Sequence, residues 1–377
     1  MLRFIVVTTF VSFGWCFSTS AQEPMIRGKT ISEWIVELKE GKTPNQRLVA
    51  AIILALDEKK DAKVLEAFQV SLANETTPVV RLRVVGLVKN FKQEHIQKLV
   101  APLADTMLTD KSPEVRAMAA EALGKGGEKA QPALPSLIKA LDDPEAKVRA
   151  AAATSLGQVG VSAVSILPNL NALLKDKDPT VRLAAAFTLG RLGNGAIPSV
   201  GNLGEVLLND AEKNVRKEAA RSIMLLGRMA NSAVPTLAKA LLKDESVEVR
   251  TQIVLALEKM GSDVLPAVPA LLETIEKDAD RTVRAFAVHS LARSLGADLN
   301  NHLDFLGERL VKDTEGEVRL AIVSELGALG PAAESALPDI RKAESDLQLN
   351  VREAAKLAIR RITMPIPKEE PKPDPEK

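Results

Sequence analysis

The feature that most constrains this chain is a Val-Arg pair that returns at an almost fixed interval. It stands at Val80-Arg81, Val115-Arg116, Val148-Arg149, Val181-Arg182, Val215-Arg216, Val249-Arg250, Val283-Arg284, Val318-Arg319 and Val351-Arg352. Gln46-Arg47 joins the same register with a different first residue. The ten arginines are 34, 35, 33, 33, 34, 34, 34, 35 and 33 residues apart. A period of that size marks one supersecondary unit laid down repeatedly along a rod, not a domain folded around a single core.

Other positions keep step with the arginine. An aspartate stands six residues before it in eight units: Asp110 with Arg116, Asp143 with Arg149, Asp176 with Arg182, Asp210 with Arg216, Asp244 with Arg250, Asp278 with Arg284, Asp313 with Arg319 and Asp346 with Arg352. Leu or Ile follows seven residues after the arginine, as in Leu156 and Ile223, and glycine often follows after eleven, as in Gly160 and Gly193. Proline recurs fourteen residues before it, at Pro102, Pro135, Pro168 and Pro338. Apolar residues at −1, +3, +4 and +7 form one stripe of a 3.6-period helix. Each unit therefore divides into a Leu-rich first helix and a second helix that opens after the aspartate and ends at a glycine suited to a left-handed cap. The short turns predict antiparallel pairs. A single pair cannot cover its own apolar face, so the units must stack.

This pattern resembles the HEAT-repeat family, and within it the short HEAT-like repeats of the phycobilin-lyase type, over about residues 29–363. The resemblance rests on the proline of the first helix, the aspartate of the turn and the Val-Arg that opens the second. It implies an all-α fold: an α-solenoid, wound as a right-handed superhelix, of about ten antiparallel helix pairs with a period of about 34 residues. It also implies that the second helices line the concave surface. It does not imply one function, because a fold carries none by itself. The second unit departs from the pattern, with Glu75 in the aspartate position, and the unit near Asn300 has its glycine displaced to Gly296.

Both ends read differently. Residues 1–21 combine Arg3, an apolar run from Phe4 to Phe17 and small residues at Thr19 and Ala21, which predicts a signal peptide and an exported, periplasmic or extracellular protein. The run is too short for a comfortable membrane span, and no transmembrane span is expected after cleavage. The solenoid is placed at residues 22–363, and residues 364–377 form a tail alternating proline with charge, expected to be disordered. Thr30 with Glu33 three residues later predicts a capping box, and Trp34 beside it a core cap.

Little in the chain looks catalytic. The only cysteine, Cys16, lies in the leader, so the remainder has no thiolate nucleophile and no cysteine-based zinc site. His95, His289 and His302 stand far apart, and the His-Glu dipeptides by which the HEAT-like deoxyhypusine hydroxylase binds iron are absent. No Gly-rich phosphate loop and no Gly-x-Ser-x-Gly elbow occurs. No enzyme activity, cofactor or metal is expected. Without Arg3 of the leader, 49 basic residues (50 less one) face 49 acidic ones, and aromatics make up 3% of the chain, which disfavours nucleic acid as a partner.

The remaining expectation is a protein or peptide partner on the concave surface. Positions +1, +2, +5 and +9 of the second helices would face it. They supply Leu183, Phe187, Arg191, Arg221, Lys259, Phe286 and Arg293 as candidate partner-binding residues. Phe187 and Phe286 would be apolar anchors and the cations an interrupted basic edge. The alternatives are an accessory subunit or enzyme of HEAT-like lyase type, and a polyanion binder using that edge. The recurring Asp and Arg are expected to be a structural ladder: the aspartate caps the second helix or meets an arginine of its own or a neighbouring unit.

Overall fold

The computed structural model describes residues 25–57, 60–160 and 163–364. The predicted signal peptide and all of the predicted tail except Met364 lie outside the described residues.

Among the described residues ten second helices follow one another: Pro44–Leu56, Pro78–Val88, Pro113–Lys125, Ala146–Val159, Pro179–Arg191, Lys213–Leu226, Val247–Met260, Arg281–Leu295, Gly316–Ala328 and Leu349–Thr363. Each is preceded by a first helix, such as Val200–Asn209 before Lys213–Leu226. The chain is an all-α solenoid of paired antiparallel helices apart from its start. There a two-residue strand, Met25–Ile26, pairs antiparallel with Lys29–Thr30, which the helical pattern does not predict.

Local chemistry explains the helix ends. Pro113 and Pro179 open their helices, where a missing N–H costs nothing. Gly193 has φ +55°, so the chain leaves Pro179–Arg191 through a conformation that a side chain would disfavour. Beyond that glycine lies a short 3-10 segment, Gly193–Ser199, and the same device recurs at Gly227–Ala233 and Gly261–Ala267. The displaced Gly296 keeps the device, at φ +54°, and the helix before it runs to Leu295. At the N-terminus the Thr30–Glu33 capping box forms, and Trp34 is buried with its Nε1 donating to the Ile26 carbonyl at 2.9 Å.

The core lies between two layers of helices and continues without a break from Trp34 to Ile362. Successive second helices pack closely on one another, whereas successive first helices stand farther apart. The resemblance to HEAT-type solenoids makes the tighter layer, that of the second helices, the inner one. Small residues permit the approach: a Cβ on Gly190 would lie 2.6 Å from Ser222 Oγ, and one on Gly157 would lie 3.0 Å from Thr188 Cγ2. Buried hydroxyls then tie one helix to the next. Ser155 donates to the Ala120 carbonyl at 2.8 Å, Thr188 to Ala153 at 2.9 Å and Ser222 to Ala186 at 2.8 Å.

Candidate interaction groove and the arginine joints

The six-residue spacing of Asp and Arg proves to be half of a longer connection. Arg182 Nη1 donates to the backbone carbonyl of Asp176, its own turn, at 2.9 Å. Its Nε and Nη2 donate instead to Asp210 of the next unit, at 2.6 and 2.8 Å. The Asp176 carboxylate is held in turn by Arg149 of the unit before, at 2.8 Å from both Nε and Nη2. Each guanidinium thus clamps two units, in the fork geometry that suits a planar cation. Nine such pairs link the described residues, from Arg47–Glu75 to Arg319–Asp346, with closest N–O distances of 2.6–2.9 Å. Glu75 therefore takes the aspartate's place in the second unit. The aspartate sits at the end of the first helix and is not the cap of the second. Asp210 follows Asn209 and accepts the Glu212 backbone N–H at 2.9 Å, which shapes the turn.

These joints are shielded, and their electrostatics follow. The Asp210 side chain is 4% exposed and that of Arg182 15%. Burial by itself would push the Asp210 carboxyl up. The hydrogen bonds from Arg182, the Glu212 N–H and the charges of Arg182 and Arg216 outweigh it, and the net direction is down. Asp143 and Asp176 are lowered against burial in the same way. For Asp346 the Arg319 hydrogen bonds are the leading cause. Notches between successive turns, such as that lined by Asp210, Arg216 and Asp244, follow these joints and present groups already paired.

A different surface opens on the inner layer. A groove of about 410 Å³ crosses the inner helices Pro113–Lys125, Ala146–Val159 and Pro179–Arg191. Ala150, Ala151, Ala184, Leu183 and Phe187 supply apolar floor, and Lys89, Glu121, Lys125 and Lys147 stand around it. Alanines are what the close helix approach requires, and they leave Phe187 standing above a shallow floor. Lys89 pairs with Glu121 and Lys147 with Glu114, while Lys125 is exposed with no acid partner among the described residues.

The seven candidate binding residues do not form one surface of equal character. Leu183 and Phe187 line the groove, and the Arg191 guanidinium lies over the Phe187 ring at 5.8 Å from its centroid. Farther along, Arg221 pairs with Glu218 at 2.9 Å and Arg293 with Glu258 at 2.7 Å. Phe286 is half-buried and packs on the core. Lys259 is exposed. The basic edge is therefore partly neutralised by the chain's own acids. Sequence reasoning missed Lys89, Glu121, Ala150 and Thr154 as groove residues, although positions +2 and +5 of the unit at Arg149 are Ala151 and Thr154. It also missed the contact of His289 Nδ1 with Glu325 Oε1 at 2.6 Å, which joins neighbouring units. Among the described residues no group of three or more His, Cys, Asp or Glu is placed to hold a metal. No described helix is long and apolar enough to cross a membrane.

Comparison with known proteins supports the fold and corrects two expectations. The HEAT repeats family model matches residues 134–201 and 200–292, and the HEAT repeat model matches residues 100–125. No curated protein matches the sequence. Importin β is similar over 88% of this chain and 53% of its own, at 14% identity and a TM-score of 0.63. Kap95p in its complex with RanGDP, described in terms of nuclear import complex assembly, covers 88% of this chain at 16% identity and a TM-score of 0.59. Kap95 bound to Nup1 gives 15% identity and a TM-score of 0.59. This chain spans about half the length of those structures, 50–53%. The finer kinship with phycobilin-lyase repeats is overturned, because the solved structures alike over most of the chain are importin β and Kap95. The exported, periplasmic or extracellular address, and the signal peptide it rested on, find no support either: the solved structures alike in fold are importin β and Kap95. A short apolar run before small residues is a pattern of low information, and the repeat motif that suggested the lyases is shared by solenoids of many kinds. The likeness is one of architecture, and no compartment follows from it. In fold, the chain is a HEAT-repeat α-solenoid.

Proposed function

We propose that this protein is a non-catalytic scaffold that holds a protein or peptide partner in the groove at Leu183 and Phe187. The observation that carries the reading is the groove's composition: an apolar floor laid across successive inner helices, with lysines at its margin. Such a surface suits a short segment with one apolar anchor and acidic neighbours. The exposed Lys147–Glu114 and half-buried Lys89–Glu121 pairs at the margin can re-pair with an incoming acid, the exposed one at little cost. Arg191, resting on Phe187, can do the same while keeping its stacked position. The partner residues Arg221, Lys259, Phe286 and Arg293 belong to this proposal as a second, weaker stretch of the same face.

Selection of displayed peptides on the folded chain tests this. The expected winners carry an apolar residue flanked by Asp or Glu. Phe187→Asp and Lys125→Glu should each abolish or strongly reduce their capture. Leu265→Asp, at an exposed leucine outside the groove lining, should not. Winners that bind Phe187→Asp as well as the parent would refute the assignment.

A further inference from the structure

The groove at Phe187 has a long axis. Counted from the recurring arginine, Leu183 is level with Ala150, and Phe187 with Thr154 and Glu121. On the middle helix, Ala146–Val159, the floor is Ala150, Ala151 and Thr154, with Gln158 at the far end. The helices on either side carry longer outward side chains. Leu183 and Phe187 form one wall, and Glu121 and Lys125 the other. The groove is thus a trough lying lengthwise along the middle helix. From Ala150 to Gln158 it runs about 12 Å, at the helical rise of about 1.5 Å per residue.

The floor of this trough has no hydrogen to give to a partner's backbone. Thr154 Oγ1 donates to the Ala150 carbonyl of its own helix at 3.0 Å, and Ser155 to the Ala120 carbonyl at 2.8 Å. At the near end Thr180 Oγ1 donates to Asp178 at 2.6 Å. The backbone N–H groups beneath Ala150, Ala151 and Thr154 are spent inside the helix. Ala150, Ala151 and Ala184 carry no polar side-chain atom. An extended segment pressed onto this floor would bury carbonyls without donors, with only the Gln158 amide at the end to answer one. A helix brings its backbone hydrogen bonds with it, and an alanine floor lets its axis approach closely.

The charge around the trough is one-sided. Lys89, Lys125 and Lys147 line it against a single acid, Glu121, which Lys89 holds. Lys89 and Lys125 stand on the side away from Leu183 and Phe187. Arg191, over the Phe187 ring, adds a cation at the Gln158 end. We propose that the segment docked here is an amphipathic α-helix lying along Ala146–Val159, an inference that rests on the docking reading above. Its apolar stripe meets the alanine floor and the Leu183–Phe187 wall, and acids on one flank meet Lys89 and Lys125. Lys125 is exposed with no acid partner among the described residues, so it takes an acid without breaking a pair. The same lysines repel a basic helix.

The test uses the full chain and three labelled peptides of leucine, alanine, glutamine and glutamate, each of about 18 residues, long enough to form a helix. The first spaces its leucines at helical intervals with glutamates along one flank. The second has the same composition with leucines at alternate positions, as a strand would need. The third is the first with a proline at its centre. Fluorescence anisotropy should show saturable binding of the first, about tenfold or more tighter than of the other two. Circular dichroism of the mixture should exceed the sum of its parts in helical signal. Ala150→Phe, which fills the floor, and Lys125→Glu should each weaken the first peptide about tenfold or more, and Leu265→Asp should not. Circular dichroism of each variant alone checks that it keeps the parent's helicity. If the alternating peptide binds as well as the first and Phe187→Asp abolishes both, the helix is overturned and the docking reading stands. Binding without a gain in helical signal overturns the helix too. If no peptide binds at millimolar concentration, or if binding ignores Phe187→Asp, both readings fall.

Discussion

The two halves of the inner layer are built from the same register and do different things. From Pro113–Lys125 to Lys213–Leu226 the helices meet through Gly124, Gly157 and Gly190, and hydroxyls of Ser155, Thr188 and Ser222 bridge to the preceding helix. In Val247–Met260 and Arg281–Leu295 the position of those glycines holds Glu258 and Ala292, and the hydroxyl position holds Ala256, then Ser290, whose Oγ is buried without a partner among the described residues; Gly327 then restores the glycine, a Cβ there lying 2.8 Å from Ala358 Cβ. The first half is closely packed and presents an apolar floor. The stretch from Val247 to Leu295 is looser in this sense and covers its face with Arg293–Glu258 and His289–Glu325. A repeat can hold the joint constant and vary the face, because the joint lies in the turns and the face lies along the helices.

The largest way to break the comparison acts on both halves at once. The lowered carboxyls of Asp143, Asp176, Asp210 and Asp346 mean that their stabilisation is complete above the ordinary value of 3.8. It is lost as pH falls below that value through the folded-state values. Helicity and thermal midpoint should be flat from about pH 5 to 8 and collapse together in stronger acid. A midpoint unchanged well below 3.8 would remove the joints as a common source of stability.

Opening one joint is the next largest effect. Arg182→Ala strips the buried Asp210 carboxylate of its hydrogen-bonded cation, leaving only the nearby charge of Arg216, and should cost about 3 kcal/mol in denaturant unfolding. Arg352→Ala, with no acid to orphan among the described residues, should cost far less. Equal losses would mean that the interior clamp adds nothing over the turn contact.

The packing difference comes third. Gly190→Val forces a side chain against Ser222 and should cost about 2 kcal/mol. Gly201→Ala, with nothing within 4 Å of the added carbon, should be neutral or stabilising by up to about 1 kcal/mol. The smallest effect sharpens the comparison most. Ser222→Ala should lose about 1 kcal/mol with its bond to Ala186, whereas Ser290→Ala should lose nothing. If both serines prove equally dispensable, the hydroxyl bridges do not distinguish the halves.

Much of this architecture was legible in one dimension. The period, the paired helices, the glycine ends and the importance of Asp and Arg all follow from residues whose positions recur, because stacking forces every unit to solve the same packing problem. The groove was legible only in part. Leu183, Phe187 and Arg191 stood out because they break the pattern at outward positions. Arg221 and Arg293 stood out for the same reason and proved to be tied to Glu218 and Glu258.

What the sequence by itself determined, then, is the list of repeated parts and the turn chemistry that joins them. Tertiary structure alone decided which aspartate each arginine grips. It chose the one 27–29 residues ahead over the one six behind, since the aspartate of the same turn presents its backbone carbonyl, not its carboxylate, to the guanidinium. It also decided that Arg293 is not free, because Glu258 of the neighbouring unit reaches it. Both are contacts between units, and their geometry is set by how one helix pair lies on the next.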